Sequence, residues 1–257
     1  MARWTAFPHA DQRYEYTPAT LKKHWARLHR GDCEPFPKDD AVIAAWIDYH
    51  AGRFQQAAEA GLKAGAAGLS VANKATNIYA NYLEKAEKNK LDLFQQVAAR
   101  CEAQQTADPK NPNAFYHYAY AIGRYGQGIS VAKALAQGLG GKVRDALGQA
   151  IRLAPKHADA HIALGAFHAE VIDKVGGLLG RTQGASKDAG LKNFKEALRL
   201  NPTSAIAMIE YANGLVMLEG DKKMKDAEKL YADAAACKAM DAMERLDVEM
   251  AKEELED

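Results

Sequence analysis

The feature that most constrains this chain is a segment that occurs twice. Asp145-Ala-Leu-Gly-Gln-Ala-Ile-Arg-Leu-Ala-Pro-Lys-His-Ala158 is echoed by Leu191-Lys-Asn-Phe-Lys-Glu-Ala-Leu-Arg-Leu-Asn-Pro-Thr-Ser-Ala205. Each copy is an amphipathic run that stops at a proline and leads into another apolar run. Proline lacks a backbone N–H and its ring clashes with the preceding turn, so each copy reads as a helix that ends there. Such self-similarity points to stacked helical hairpins, because one hairpin cannot bury its apolar faces alone.

In chain order, residues 1–16 are polar and aromatic without a period and read as an extended arm. Thr17-Pro18 is a helix start, an N-cap followed by proline in the first turn. The helix it opens carries Leu21, Trp25 and Leu28, ends near Gly31, and is followed by a proline-broken stretch to Asp40. Hairpins then follow at residues 41–65, 69–105, 114–153, 158–200 and 205–236, each with apolar residues three and four apart. Residues 242–255 carry Met243, Leu246 and Met250 on one side of a charged helix, as a terminal cap should. No strand pattern occurs. The expected fold is all-α, a right-handed α-solenoid of about five hairpins, two with lengthened first helices, plus a C-terminal capping helix. The expected division is an arm and short helix over 1–39 and a repeat domain over 40–257.

Composition narrows the function classes. Of 257 residues, 26% are charged and 48% apolar, with a formal net charge of +1. A near-neutral chain lacks the basic surplus of a dedicated nucleic-acid binder. The charge is uneven: six Lys/Arg stand against two Asp/Glu in residues 1–30, and eight Asp/Glu against two Lys/Arg in 241–257. These ends are either two solvated surfaces or the halves of a head-to-tail contact, which leaves a homo-oligomer open. Cys33, Cys101 and Cys237 are odd in number and far apart, which fits a reducing compartment better than a disulfide framework. No signal peptide and no apolar run long enough for a membrane span is read. The expected location is cytoplasmic, or periplasmic if a leader has been removed.

The hairpins carry the pattern of the tetratricopeptide repeat (TPR). Ala227, Tyr231 and Ala234 show its small–bulky–small spacing; Gly190, Phe194, Ala197 and Pro202 do the same, preceded by Leu164-Gly165; Val143, Leu147, Ala150 and Pro155 fit with weaker residues. Small residues let helices approach and the bulky one fills the hole between hairpins. Yet Pro112, Pro155 and Pro202 are spaced by 43 and 47 residues, against about 34 for a standard repeat. The excess falls at 126–141 and 171–184. This layout resembles the regulator of microtubule dynamics family of divergent TPR proteins, and TatT, the accessory component of some bacterial TRAP transporters. The resemblance covers roughly residues 70–255; Leu178-Leu-Gly-Arg-Thr-Gln-Gly-Ala-Ser186 carries it best.

Other constellations are weaker. Gln137-Gly-Leu-Gly-Gly-Lys142 lacks both the spacing and the preceding strand of a phosphate loop. His157, His161 and His168 share a helix face at spacings that could ligate a transition metal. His161 and His168, however, occupy places where the repeat puts packing aromatics; only His157 stands outside that explanation, and no metal or cofactor is expected. No catalytic motif is present.

The resemblance implies a groove lined by the first helices, carried here onto Tyr116, Asp159, Ile162, Glu170, Ile206 and Asn213. The two inserted stretches are unusually apolar: Ile129, Val131, Ala134, Leu135 and Leu139 in one, Val171, Ile172, Val175, Leu178 and Leu179 in the other. They either pack together as extra core, with room for an apolar ligand, or form a patch that a partner covers. The expected function is a non-enzymatic scaffold binding a protein or peptide on its concave face. The alternative is a TatT-like accessory protein holding an apolar small ligand for solute transport.

Overall fold

The computed structural model describes residues 3–256; Met1, Ala2, Asp257 and the side chains of Val131 and Ala132 lie outside the described residues. Among these residues no strand occurs, and the fold is all-α. Thirteen α-helices follow in order: α1 (Pro18–Leu28), α2 (Asp40–His50), α3 (Phe54–Lys63), α4 (Leu69–Ile78), α5 (Glu87–Ala107), α6 (Pro112–Gln127), α7 (Val131–Ala136), α8 (Leu139–Leu153), α9 (Ala158–Thr182), α10 (Lys187–Leu200), α11 (Ala205–Glu219), α12 (Met224–Ala235) and α13 (Ala242–Glu256).

The helices begin where short polar side chains can satisfy the orphan N–H groups of a first turn. Thr17 and Thr20 cap each other's backbone, with Pro18 at the first helical position. Asp39, Asn111, Ser186 and Ser204 accept from the amides of Ala41, Asn113, Ala189 and Ala207. His157, the histidine that the repeat pattern left unexplained, is also a cap. Its buried Nδ1 accepts from the Ala160 amide at 3.0 Å.

The chain forms two compact units: residues 1–29, 34–139 and 240–243 in the first, and 30–33, 140–239 and 244–257 in the second. In the first unit α2 packs on α3, α3 on α4, and α4 and α5 on α6. Its core is aromatic. Trp46, Tyr49, Tyr14 and Leu21 are fully buried, and Trp25 stands edge-on to Trp46 with ring centroids 5.5 Å apart. Among these rings lies a polar chain: His29 Nε2 is 3.2 Å from His50 Nε2, and His50 Nδ1 is 2.7 Å from Asp241 Oδ2. Tyr16 donates to the Met240 carbonyl at 2.8 Å, so the unit closes over a segment more than 190 positions away in sequence.

Three expectations change here. The arm over 1–16 is part of the core: Trp4 stacks on Tyr79 at 4.1 Å, Phe7 meets Phe54 edge-on, and Tyr14 is 1% exposed. The helix expected over 69–83 widens into a π-type turn at Tyr79–Leu83, where Tyr79 meets the arm. The first insertion does not lengthen α6. That helix stops at Gln127, and the extra residues make the separate short helix α7, capped by Ser130.

In the second unit α9 packs on α10, α10 on α11, and α11 on both α9 and α12. Phe194 is fully buried. A Cβ on Gly165 would come within 2.8 Å of its ring, and one on Gly214 would overlap it. The ring therefore fills the space that these two glycines leave between hairpins. Ala197 packs with Ile162 and Ala207, and Ala234 with Ile209 and Ala251. The small–bulky–small pattern is the interior of this unit.

Candidate interaction surface

The second insertion does lengthen its helix, and then bends it. α9 runs on to Gly176, whose φ of 78° is left-handed. A side chain with a Cβ would be strained there; glycine is not. After this break the chain folds back. The Ala185 amide donates to the Gly180 carbonyl at 2.8 Å, and Gly180 sits against Ile172. Gly180 and Ala185 are buried, whereas Leu178 is 82% exposed and Leu179 59% exposed. The hook over 176–186 thus buries Gly180 and Ala185 and leaves its two leucines outside.

The base of the hook is tied down by hydrogen bonds. His168 is buried, and its Nδ1 accepts from the Ser186 amide, the N-cap of α10, at 3.3 Å. That bond requires an unprotonated Nδ1. Burial, with the Arg144 charge adding to it, holds the His168 pKa below the usual histidine value. Arg144 also donates to the Gln183 carbonyl at 3.4 Å, and Lys187 reaches Glu219 at 2.7 Å. Lys187 and Lys222 together hold the Glu219 carboxyl at about 2.

The other expected apolar contacts behave differently. Leu139 is buried in the first unit and Leu135 is 49% exposed on α7. Val175, at the break in α9, is half-buried.

Five of the six expected groove residues lie on α9 and α11 of the second unit, and Tyr116 on α6 of the first. Tyr116 belongs to the first unit and is buried beside Tyr120. In the second unit Ile162 and Ile206 meet in one apolar cluster, with Ile162 only 5% exposed. The Asp159 amide donates to the Gly31 carbonyl, and its carboxylate lies over Gly31. Glu170 approaches Lys174 at 3.9 Å. Asn213 Oδ1 accepts from the Tyr231 hydroxyl at 2.6 Å, which turns it toward α12. In the second unit, α9, with Asp159, Ile162 and Glu170, packs on α11, with Ile206 and Asn213.

Of the three aligned histidines, His161 contacts Asn193 Oδ1 at 2.8 Å. Each member of the trio has its own structural partner. Among the described residues no group of three or more His, Cys, Asp or Glu could hold a metal ion. None of their helices is long and apolar enough to cross a membrane.

This architecture has relatives. A thermophilic TPR protein of Thermus thermophilus, TTC0263, superposes with a TM-score of 0.58 over 83% of this chain and 97% of its own, at 17% identity. That likeness is one of fold. No curated protein matches the sequence. The family described as regulator of microtubule dynamics protein 1-3 matches residues 67–257, which takes in α4 to α13 with their glycine–aromatic hairpins and both insertions. The chain belongs to the regulator of microtubule dynamics protein 1-3 family.

Proposed function

We propose that this protein is a non-enzymatic scaffold whose second unit receives a protein partner on the leucine hook. The observation that carries this reading is the inverted polarity of the hook, with Gly180 and Ala185 inside and Leu178 and Leu179 outside. A chain that needed these leucines for its own stability would turn them in, since burying one contributes about 1.5–3 kcal/mol. Here that gain is left for association. The hook stands on a helix whose direction is set by Phe194 packing and by the His168–Ser186 bond, so the leucines are presented with little freedom to lose. The TPR-type fold and the family membership support a scaffold role on the level of class. The exposure of both leucines favours a protein partner over the alternative of an apolar small ligand held in an enclosed cleft.

The test is a double substitution, Leu178→Ser with Leu179→Ser, in the full chain. Proteins captured by the immobilised wild type but lost with the variant, at an unchanged melting temperature, are the expected result. Sedimentation at high concentration asks whether the partner is a second copy. Equal capture by both chains, with no change in self-association, overturns the reading.

A further inference from the structure

The buried polar chain of the first unit limits how many protons its two imidazoles can hold. His50 Nδ1 donates to Asp241 Oδ2 at 2.7 Å. The Nε2 atoms of His29 and His50, 3.2 Å apart, leave room for one proton between them. One ring must donate it and the other must accept with its lone pair. Two protonated rings would turn N–H toward N–H across the same gap, and the bond would be lost. The closed pair therefore carries at most one imidazolium.

The surroundings enforce this limit. His29, His50 and Asp241 are all buried. Trp25 covers one face of His29, with ring centroids 3.8 Å apart, and Trp46 stands edge-on to it at 4.6 Å. Asp241, from the 240–243 segment, favours one positive charge on His50. From α4, the buried Lys74 brings its Nζ to 6.0 Å from the Trp46 ring and 5.5 Å from the Tyr49 ring, and its charge opposes a second. On α2 itself Tyr49 is edge-on to His50, and its hydroxyl donates to Met243 Sδ. From the arm, Tyr16 stands edge-on to His50 and beside His24 of α1. Asp32, three residues after His29 in the chain, is buried as well.

The bond between the two rings joins two helix ends. His29 is the C-cap of α1, and His50 is the last residue of α2, on which α1 packs. From this arrangement we infer that α1 is a pH-sensitive strap. When a second proton enters the His29–His50 pair the bond between them breaks, and α1 lifts from α2 with its buried Leu21 and Trp25. The bond to Asp241 survives this step, because a cationic His50 is the stronger donor to a carboxylate. α2 therefore keeps the 240–243 segment while α1 leaves. Only the open pair takes the second proton, so opening is favoured as pH falls. The gain is up to about tenfold per pH unit below about 6.5, the ordinary histidine value. The strap goes beyond the scaffold role and stands whether or not the leucine hook has a partner.

The test is amide hydrogen exchange of the full-length chain between about pH 7.5 and about pH 5, corrected for the intrinsic exchange rate. Protection over residues 21–28 of α1 is expected to fall by about tenfold per pH unit below about 6.5, while α5 and α6 keep theirs. His29→Gln retains an N–H donor for His50 Nε2 and takes up no proton, so it is expected to flatten the dependence over α1. Nitrogen-15 NMR of the wild-type imidazoles covers the case in which this variant fails to fold. There the second ring is expected to become imidazolium only in step with the loss of α1 protection. Protection over α1 that ignores pH overturns the inference, as does an equal loss over α5 and α6. So does an unchanged slope in the folded glutamine variant, or a pair of imidazolium signals with α1 still closed.

Discussion

In the second unit the space between hairpins is closed by one phenylalanine set against two glycines, all within residues 165–214. In the first unit the interior is a cluster of Trp, Tyr and His rings, tied by hydrogen bond to Asp241, 191 positions away from His50. Both units are built of packed helices, yet one closes by shape and the other by shape and polarity together. The difference matters for failure. A void between hairpins costs in proportion to the volume it leaves. A buried polar chain fails when one member is left without its partner. It also matters for presentation. In the shape-packed unit α9 runs on to Gly176, and the hook beyond it folds back and buries Gly180 and Ala185. The polar-packed unit instead folds its own arm inward, with Trp4 stacked on Tyr79.

The sharpest way to break this contrast is to remove the ring. Phe194→Ala is expected to cost about 3–5 kcal/mol. Amide exchange should accelerate across α9–α11 in the second unit, with much less change in α2–α4. If both units open equally, the two cores are one cooperative structure and the contrast fails. The next effect lies in the first unit. Asp241→Asn weakens a charge-assisted bond to a buried histidine and is expected to cost about 1.5–3 kcal/mol. Combined with His50→Gln, the two losses should be less than additive. Additive losses in urea melts would mean that the polar chain is not a unit.

A smaller, pH-dependent effect separates the hook from the rest. The folded-state pKa of His168 lies below the ordinary histidine value of 6.5. Between those two values the unfolded chain binds more protons than the folded one. Stability is therefore complete above pH 6.5 and declines as pH falls through the window beneath it. His168→Gln should remove that share of the acid sensitivity while costing about 1 kcal/mol at neutral pH; an unaltered pH profile would place the sensitivity elsewhere. The smallest effect is expected at Leu178. Its substitution by serine should move stability by no more than about 0.5 kcal/mol, as for other exposed sites. A larger loss in thermal melts would show the leucine to be structural.

Much of the second unit was legible because its packing is periodic. Gly190, Phe194 and Ala197 declare by spacing alone which residues must lie inside, and the structure puts them there. The insertions were legible as excess length and apolar content, though not in their form. Gly176 and Gly177 stand beside Leu178 in the sequence, but only the left-handed φ at Gly176 decides that the leucines turn outward. The groove positions were less readable. Asn213 lies on the right helix, yet its direction depends on a hydroxyl from Tyr231 on the next one. Arg100 gave no local signal at all. It lies on a polar helix among other charges, and its hydrogen-bond partners Asn73 and Thr76 stand more than twenty residues earlier.

By itself, then, the sequence determined the class of this protein: helices from apolar period, their ends from Thr17, Asn111, Ser186 and the prolines, and stacked hairpins from the repeated small and bulky residues. These properties are local, set by backbone chemistry and by spacing within a few turns. Tertiary structure alone decided the rest. It placed the arm in the first core, joined His50 to Asp241, and set two leucines on the outside of a hook. Each depends on which distant groups meet, and burial and hydrogen-bond partnership belong to the folded chain as a whole.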